Sequence, residues 1–119
     1  MADPTTFIPN QLAVGVPTQE PVVDFLVDGA ITLIAGGQAY LAKATAGAYT
    51  LAAPYGDGAR LTIVAVTAAA HVVTIPTAAA GGGAGQDVLT FGGAINDSVV
   101  LTSRSGKWHV VSTRNVTAG

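Results

Sequence analysis

One three-residue phrase, apolar–Thr–apolar, recurs five times in this chain. It appears as Ile31-Thr32-Leu33, Tyr49-Thr50-Leu51, Leu61-Thr62-Ile63, Val73-Thr74-Ile75 and Leu89-Thr90-Phe91. The residue types favour the pleated backbone. The period of two sends the apolar side chains to one face and the threonine to the other. Each phrase therefore reads as a strand with one face to bury. The threonines stand 18, 12, 12 and 16 positions apart, room for one strand and one turn each time. That spacing is too irregular for a strict solenoid.

Turn signals fall between the phrases: Gly36-Gly37, Ala46-Gly47, Gly56-Asp57-Gly58, Gly92-Gly93, Asn96-Asp97 and Ser105-Gly106. The last joins Ser98–Arg104 to Lys107–Thr113 as a tight hairpin. In its second strand Trp108 and Val110 share one face, while Lys107, His109 and Val111 share the other, so Trp108 is expected to face the core. Strands are predicted at 30–35, 38–43, 48–53, 59–66, 71–76, 87–91, 98–104 and 107–113. Helix signal is weak throughout, with one short helix or turn conceivable at Thr67–Ala70. Eight short strands with glycine-rich turns indicate an all-β chain, a compact antiparallel sandwich or barrel.

The first 27 residues differ from the remainder, so the chain divides into an extended N-terminal arm, 1–27, and a β-rich body, 28–119. Four of the six prolines (Pro4, Pro9, Pro17 and Pro21) lie in the arm, each removing a backbone donor and favouring extended geometry before it. Between them stand isolated apolar residues: Phe7, Ile8, Leu12, Val14 and Val16. An extended segment with spaced apolar anchors can lie along another surface, so these five are the candidate partner-binding residues.

Charge narrows the function classes. Only 10% of the 119 residues are Asp, Glu, Lys or Arg, against about 25% in ordinary soluble domains. Half the chain is hydrophobic. A surface this poor in charge suits a protein that covers itself with copies of itself or with a partner. The net charge is −2 and the five basic residues are scattered in sequence, which argues against phosphate-backbone binding to nucleic acid. There is no cysteine, hence no thiolate chemistry and no Cys-based zinc site. The opening MADPTTFIPN has neither the basic nor the apolar region of a secretory signal, so none is expected.

Leu61–Gln86 carries no charge over 26 residues and invites a membrane or nucleotide-binding reading. Its length suits a bilayer crossing, but Thr62, Thr67, His71, Thr74 and Pro76 interrupt it and its apolar residues alternate. Two strands are expected instead, at 61–66 and 71–76. Gly81–Gly85 lacks the Gly-Lys-Ser/Thr ending of a phosphate loop, so Thr77–Gln86 reads as a long small-residue loop that another chain could cover. Catalytic candidates are few. His71 and His109 are the only histidines and lack metal-ligand spacing. Ser98, His109 and Asp97 could be written as a triad, but no nucleophile elbow surrounds any serine. Asp57, Asp87 and Asp97 sit in turn-like sequence, where carboxylates usually close the turn. No catalytic, cofactor or metal site is expected, and both histidines are expected at strand surfaces or interfaces. Tyr40, Tyr49, Tyr55 and Trp108 are the aromatics a glycan site could use.

Read in order, Gly47–Pro54, Gly58–Ile63, Thr67–Thr74, Thr90–Ile95, Asp97-Ser98, Gly106–Ser112 and Asn115–Thr117 resemble a family of small structural proteins and domains of tailed bacteriophages. The match covers about 30–117 and leaves the arm outside. The resemblance implies a β-rich virion component. Small members of the family are similar to capsid decoration (cement) proteins on the capsid exterior, commonly trimeric and docked on the major capsid protein. Related modules in phage fibres imply an alternative, host-glycan binding. The implied partners are further copies of the chain and the capsid, with no nucleic acid, membrane or cofactor.

Overall fold

A computed structural model describes residues 20–76 and 87–119. These form ten strands: β1 Val22–Phe25, β2 Gly29–Ile31, β3 Gly37–Leu41, β4 Ala48–Leu51, β5 Arg60–Ala65, β6 Val72–Thr74, β7 Val88–Phe91, β8 Ser98–Arg104, β9 Lys107–Arg114 and β10 Val116–Ala118. They build two five-stranded sheets, β1-β3-β5-β8-β9 and β2-β4-β6-β7-β10. The all-β sandwich indicated by the sequence is present, and no closed barrel forms among the described strands. All eight predicted strands occur, in places shorter than expected. Two more, β1 and β10, frame them.

Strand direction departs from a wholly antiparallel arrangement. Successive strands from β1 to β6 alternate between the sheets, so each pairs in parallel with the strand two places on: β1 with β3, β3 with β5, β2 with β4, β4 with β6. The chain winds as a flattened coil. After β6 it reverses, and the remaining pairings, β5–β8, β8–β9, β6–β7 and β7–β10, are antiparallel. Short crossovers suffice for the parallel pairs because each passes through the opposite sheet.

The threonine phrases explain the register. Ile31 pairs with Leu51, and Thr50 with Thr74. In the other sheet Ala39 pairs with Ile63 and Ile63 with Val99. Rungs thus stack like on like: buried apolar residues (Ile31, Leu51, Ile63 and Leu101 among them) inward, threonines outward. Trp108 is buried, as its strand position requires, and its indole Nε1–H donates to Ala52 O at 2.8 Å. That bond ties the hairpin to the end of β4. At the β8–β9 turn Ser105 and Gly106 have φ of 56° and 75°. Both central residues are left-handed, the twist-matched geometry for a two-residue hairpin.

Val22–Phe25 lies within the stretch assigned to the arm, yet it is the edge strand of the first sheet. Pro21 O accepts Gln38 N–H at 2.9 Å, so the body extends back to residue 21 at least. Residues 1–19, and with them Phe7, Ile8, Leu12, Val14 and Val16, lie outside the described residues. So does the predicted small-residue loop over 77–86.

Candidate functional site

Among the described residues three polar side chains are buried: His71, Asp97 and Ser103. Each fastens a turn. His71 Nδ1 accepts Gly47 N–H at 3.0 Å. Its Nε2 lies 2.9 Å from Thr67 Oγ1, and that hydroxyl donates to Lys43 O at 2.6 Å. With the Thr67 proton committed to Lys43, Nε2 carries the hydrogen and Nδ1 is the acceptor. The ring is therefore neutral, and burial holds its pKa below the usual histidine value. It packs edge-on between Tyr49 and Phe91, with centroids 5.9 and 6.5 Å away. Gly47 permits the approach, because a Cβ there would meet the Tyr49 ring at 2.5 Å. The Thr67–Ala70 segment closes through Ala69 N–H to Thr67 O and His71 N–H to Ala69 O.

Asp97 accepts Ala94 N–H at 2.9 Å and the Asn115 side-chain N–H at 2.9 Å. The Ala94 amide leads the groups that pull its carboxyl below the ordinary value, followed by Asn115 and the amides of Gly92 and Gly93. Ser103 accepts Ala59 N–H at 2.9 Å and donates to Gly56 O. Asp57, beside it, accepts Ser105 N–H at 2.8 Å. The turn role expected for Asp57 and Asp97 is the one they have.

The paper triad does not assemble. Ser98 pairs with Arg114 and His109 with Thr102, four positions apart along β8, or about 13 Å. Asp97 is occupied by its turn amides. The expectation for His71 is corrected: it is a core residue with both ring nitrogens engaged, because alternation puts it on the same inward face as Val73 and Ile75. His109 does lie on a strand surface, lining a shallow depression with Arg104, Ser105 and Lys107. Among the described residues no group of three or more His, Cys, Asp or Glu could hold a metal ion, and no helix is long and apolar enough to cross a membrane. Of the four glycan-candidate aromatics, Tyr49 and Trp108 are core residues. Tyr40 is half-buried and donates to Gln38 at 2.7 Å. Tyr55 is 82% exposed.

What the surface does offer is apolar. Leu26 and Val27 (65% and 71% exposed) follow β1, Val66 follows β5, and Ile95 (58% exposed) lies in the turn before β8. Ala42 N–H bonds Phe25 O, Val66 N–H bonds Leu41 O and Asn96 N–H bonds Ala65 O, which places all four residues at the same end of the first sheet. The sequence hides this cluster because its members lie in three separate turns.

The fold and this surface define a two-sheet β-sandwich whose buried polar groups, among the described residues, fasten turns and which exposes four apolar residues at one end of its first sheet. No family model matches the chain, and no curated protein matches it.

Proposed function

We propose that the chain is a structural virion protein, a capsid decoration protein that binds the outside of a phage head and reinforces contacts between major capsid subunits. The observation that carries this reading is the apolar end formed by Leu26, Val27, Val66 and Ile95 on a body whose buried polar groups are all spent on turns. The low charge and the resemblance of residues 30–117 to phage structural proteins support it. A cement protein works by adding buried area across a subunit joint, about 800 Å² per partner for a standard interface. Many such sites on one shell reinforce one another. The arm supplies reach and the anchors Phe7, Ile8, Leu12, Val14 and Val16, and the chain acts as a homo-oligomer, a trimer by analogy. Deleting residues 2–19 spares the Pro21–Gln38 bond. It is expected to leave the thermal unfolding of the body intact and to abolish capsid binding in co-sedimentation. Capsid binding equal to that of the full chain would refute the arm's role.

One observation favours a second reading, a fibre module for host glycans: Tyr55 stands fully outward two residues from Asp57. A glycan-array signal lost in Tyr55→Ala, with a few copies of the protein per virion, would support that reading over cement.

A further inference from the structure

The two free edges of the first sheet are complementary. Among the described residues β1 pairs only with β3, and β9 only with β8. Through the ladder β1, β3, β5, β8, β9 one level of the sheet runs Val22, Gln38, Thr62, Val100, Ser112. The next outward-facing level runs Asp24, Tyr40, Val64, Ser98, Arg114. An acidic position on the β1 edge thus stands level with a basic position on the β9 edge: Asp24 with Arg114.

A bulge creates this match. Leu101 pairs with Val110 but Val100 pairs with Ser112, leaving Val111 as the extra residue. Uninterrupted alternation after His109 would put Val111 and Thr113 outward. The bulge instead turns Ser112 and Arg114 outward and leaves Val111 52% exposed at the edge. Val22, 58% exposed, stands one level from it on the opposite edge. The directions also agree. β3 and β5 run with β1, β8 runs against them, and β9 runs against β8, so β1 and β9 are parallel.

We propose that β1 of one copy pairs in parallel with β9 of the next, continuing the first sheet from copy to copy. The contact is heterologous, so it repeats around a ring or along a stack. Charges on edge strands usually prevent unwanted pairing. Here the opposite signs do so selectively: acid repels acid when two β1 edges meet, base repels base when two β9 edges meet, and only the β1–β9 pairing attracts. This inference rests on the homo-oligomer in the preceding reading and names its interface. Because it is tested on free protein, its failure leaves capsid docking by the arm untouched.

The chain has no cysteine, so disulfide trapping is clean. The two edges of one sheet are separated by four strand spacings, about 19 Å, too far for an intramolecular bridge. The full-length double variant Val22→Cys/Ser112→Cys, oxidised at low salt, is expected to give covalent dimers and higher species on non-reducing gels. Each single variant stops at a weak dimer, and the out-of-level pair Asp24→Cys/Lys107→Cys gives no ladder. Asp24→Arg should weaken self-association in analytical ultracentrifugation on the order of tenfold, and the swap Asp24→Arg/Arg114→Asp should restore it. A protein monomeric at high concentration and low salt would overturn the proposal, with the edge charges acting only as guards. So would an oligomer that neither the charge swap nor the cysteine pairs affect.

Discussion

The two halves of the molecule reach the same sandwich by different routes. From β1 to β6 the chain winds between the sheets, and every pairing within that half is parallel. From β7 to β10 it doubles back, and every pairing is antiparallel. The wound half relies on polar fasteners at its turns, because each crossover must be held while the partner rung arrives later in sequence. His71 fixes two such turns at once. The hairpin half closes locally through Ser105-Gly106 and contributes the largest core side chain, Trp108. It joins the wound half through the β5–β8 and β6–β7 ladders, through Ser103 and Ser105 on the Gly56–Ala59 turn, and through the indole bond to Ala52. Buried polar fasteners thus serve both halves, His71 in the wound one and Asp97 and Ser103 in the other, while only the antiparallel half adds a tight two-residue turn and an aromatic anchor.

Removing the anchor should damage the molecule most. Trp108→Ala deletes the buried ring and leaves Ala52 O without its donor, and is expected to cost about 3–5 kcal/mol in chemical denaturation. Trp108→Phe should recover much of the packing but not the bond. If the hairpin half were peripheral, both variants would unfold like the parent.

Next comes the fastener of the wound half. His71→Leu keeps bulk but orphans the Gly47 N–H, and is expected to destabilise by about 1–3 kcal/mol. The same ring gives a pH signature. Its folded pKa lies below the ordinary value of about 6.5, so between the two values the unfolded chain binds more protons. Stability is therefore intact above about pH 6.5 and declines as pH falls through it. Melting temperature followed from pH 8 to 5 should show this decline in the parent and a shallower one in His71→Leu.

Asp97 responds at lower pH. Its carboxyl is held down chiefly by the Ala94 amide, so its contribution is present above the ordinary carboxylate pKa and is lost as pH falls through the depressed folded value. Asp97→Asn should flatten the acid end of the stability profile and leave the decline near pH 6.5 unchanged.

The smaller effects belong to the hairpin turn. Gly106→Ala forces a Cβ into φ of 75° and is expected to cost about 1–2 kcal/mol. Ser105→Asn, which suits the left-handed region better, should change stability by no more than about 0.5 kcal/mol, and upward. A Gly106→Ala loss as large as that of Trp108→Ala would mean that the turn, not the ring, holds the hairpin half.

Local chemistry made much of this legible. Period-two alternation located eight strands, Ser105-Gly106 marked the hairpin, and the position of Trp108 opposite Lys107 and His109 placed it in the core. Asp57 and Asp97 were readable as turn-closing residues, because short carboxylates in Gly/Asn-rich sequence bond nearby amides. Strand direction was not readable: alternation is the same in parallel and antiparallel ladders, and only the crossovers between sheets set it. β1 was masked by the prolines just before it, Pro17 and Pro21, and read as arm, since those prolines suit the entry to an edge strand as well as an extended tail. His71 looked like a strand-surface residue because Gly47, which bonds its ring, and Lys43, which binds its neighbour Thr67, come from the distant β3–β4 turn. The apolar end and the level match of Asp24 with Arg114 were equally invisible, the latter resting on a five-strand register and one bulged residue. Sequence periodicity alone marked the inward faces of the five apolar–Thr–apolar strands, because burial follows a two-residue period. Tertiary structure alone decided which distant turns meet, because that depends on how rungs stack across the sheets.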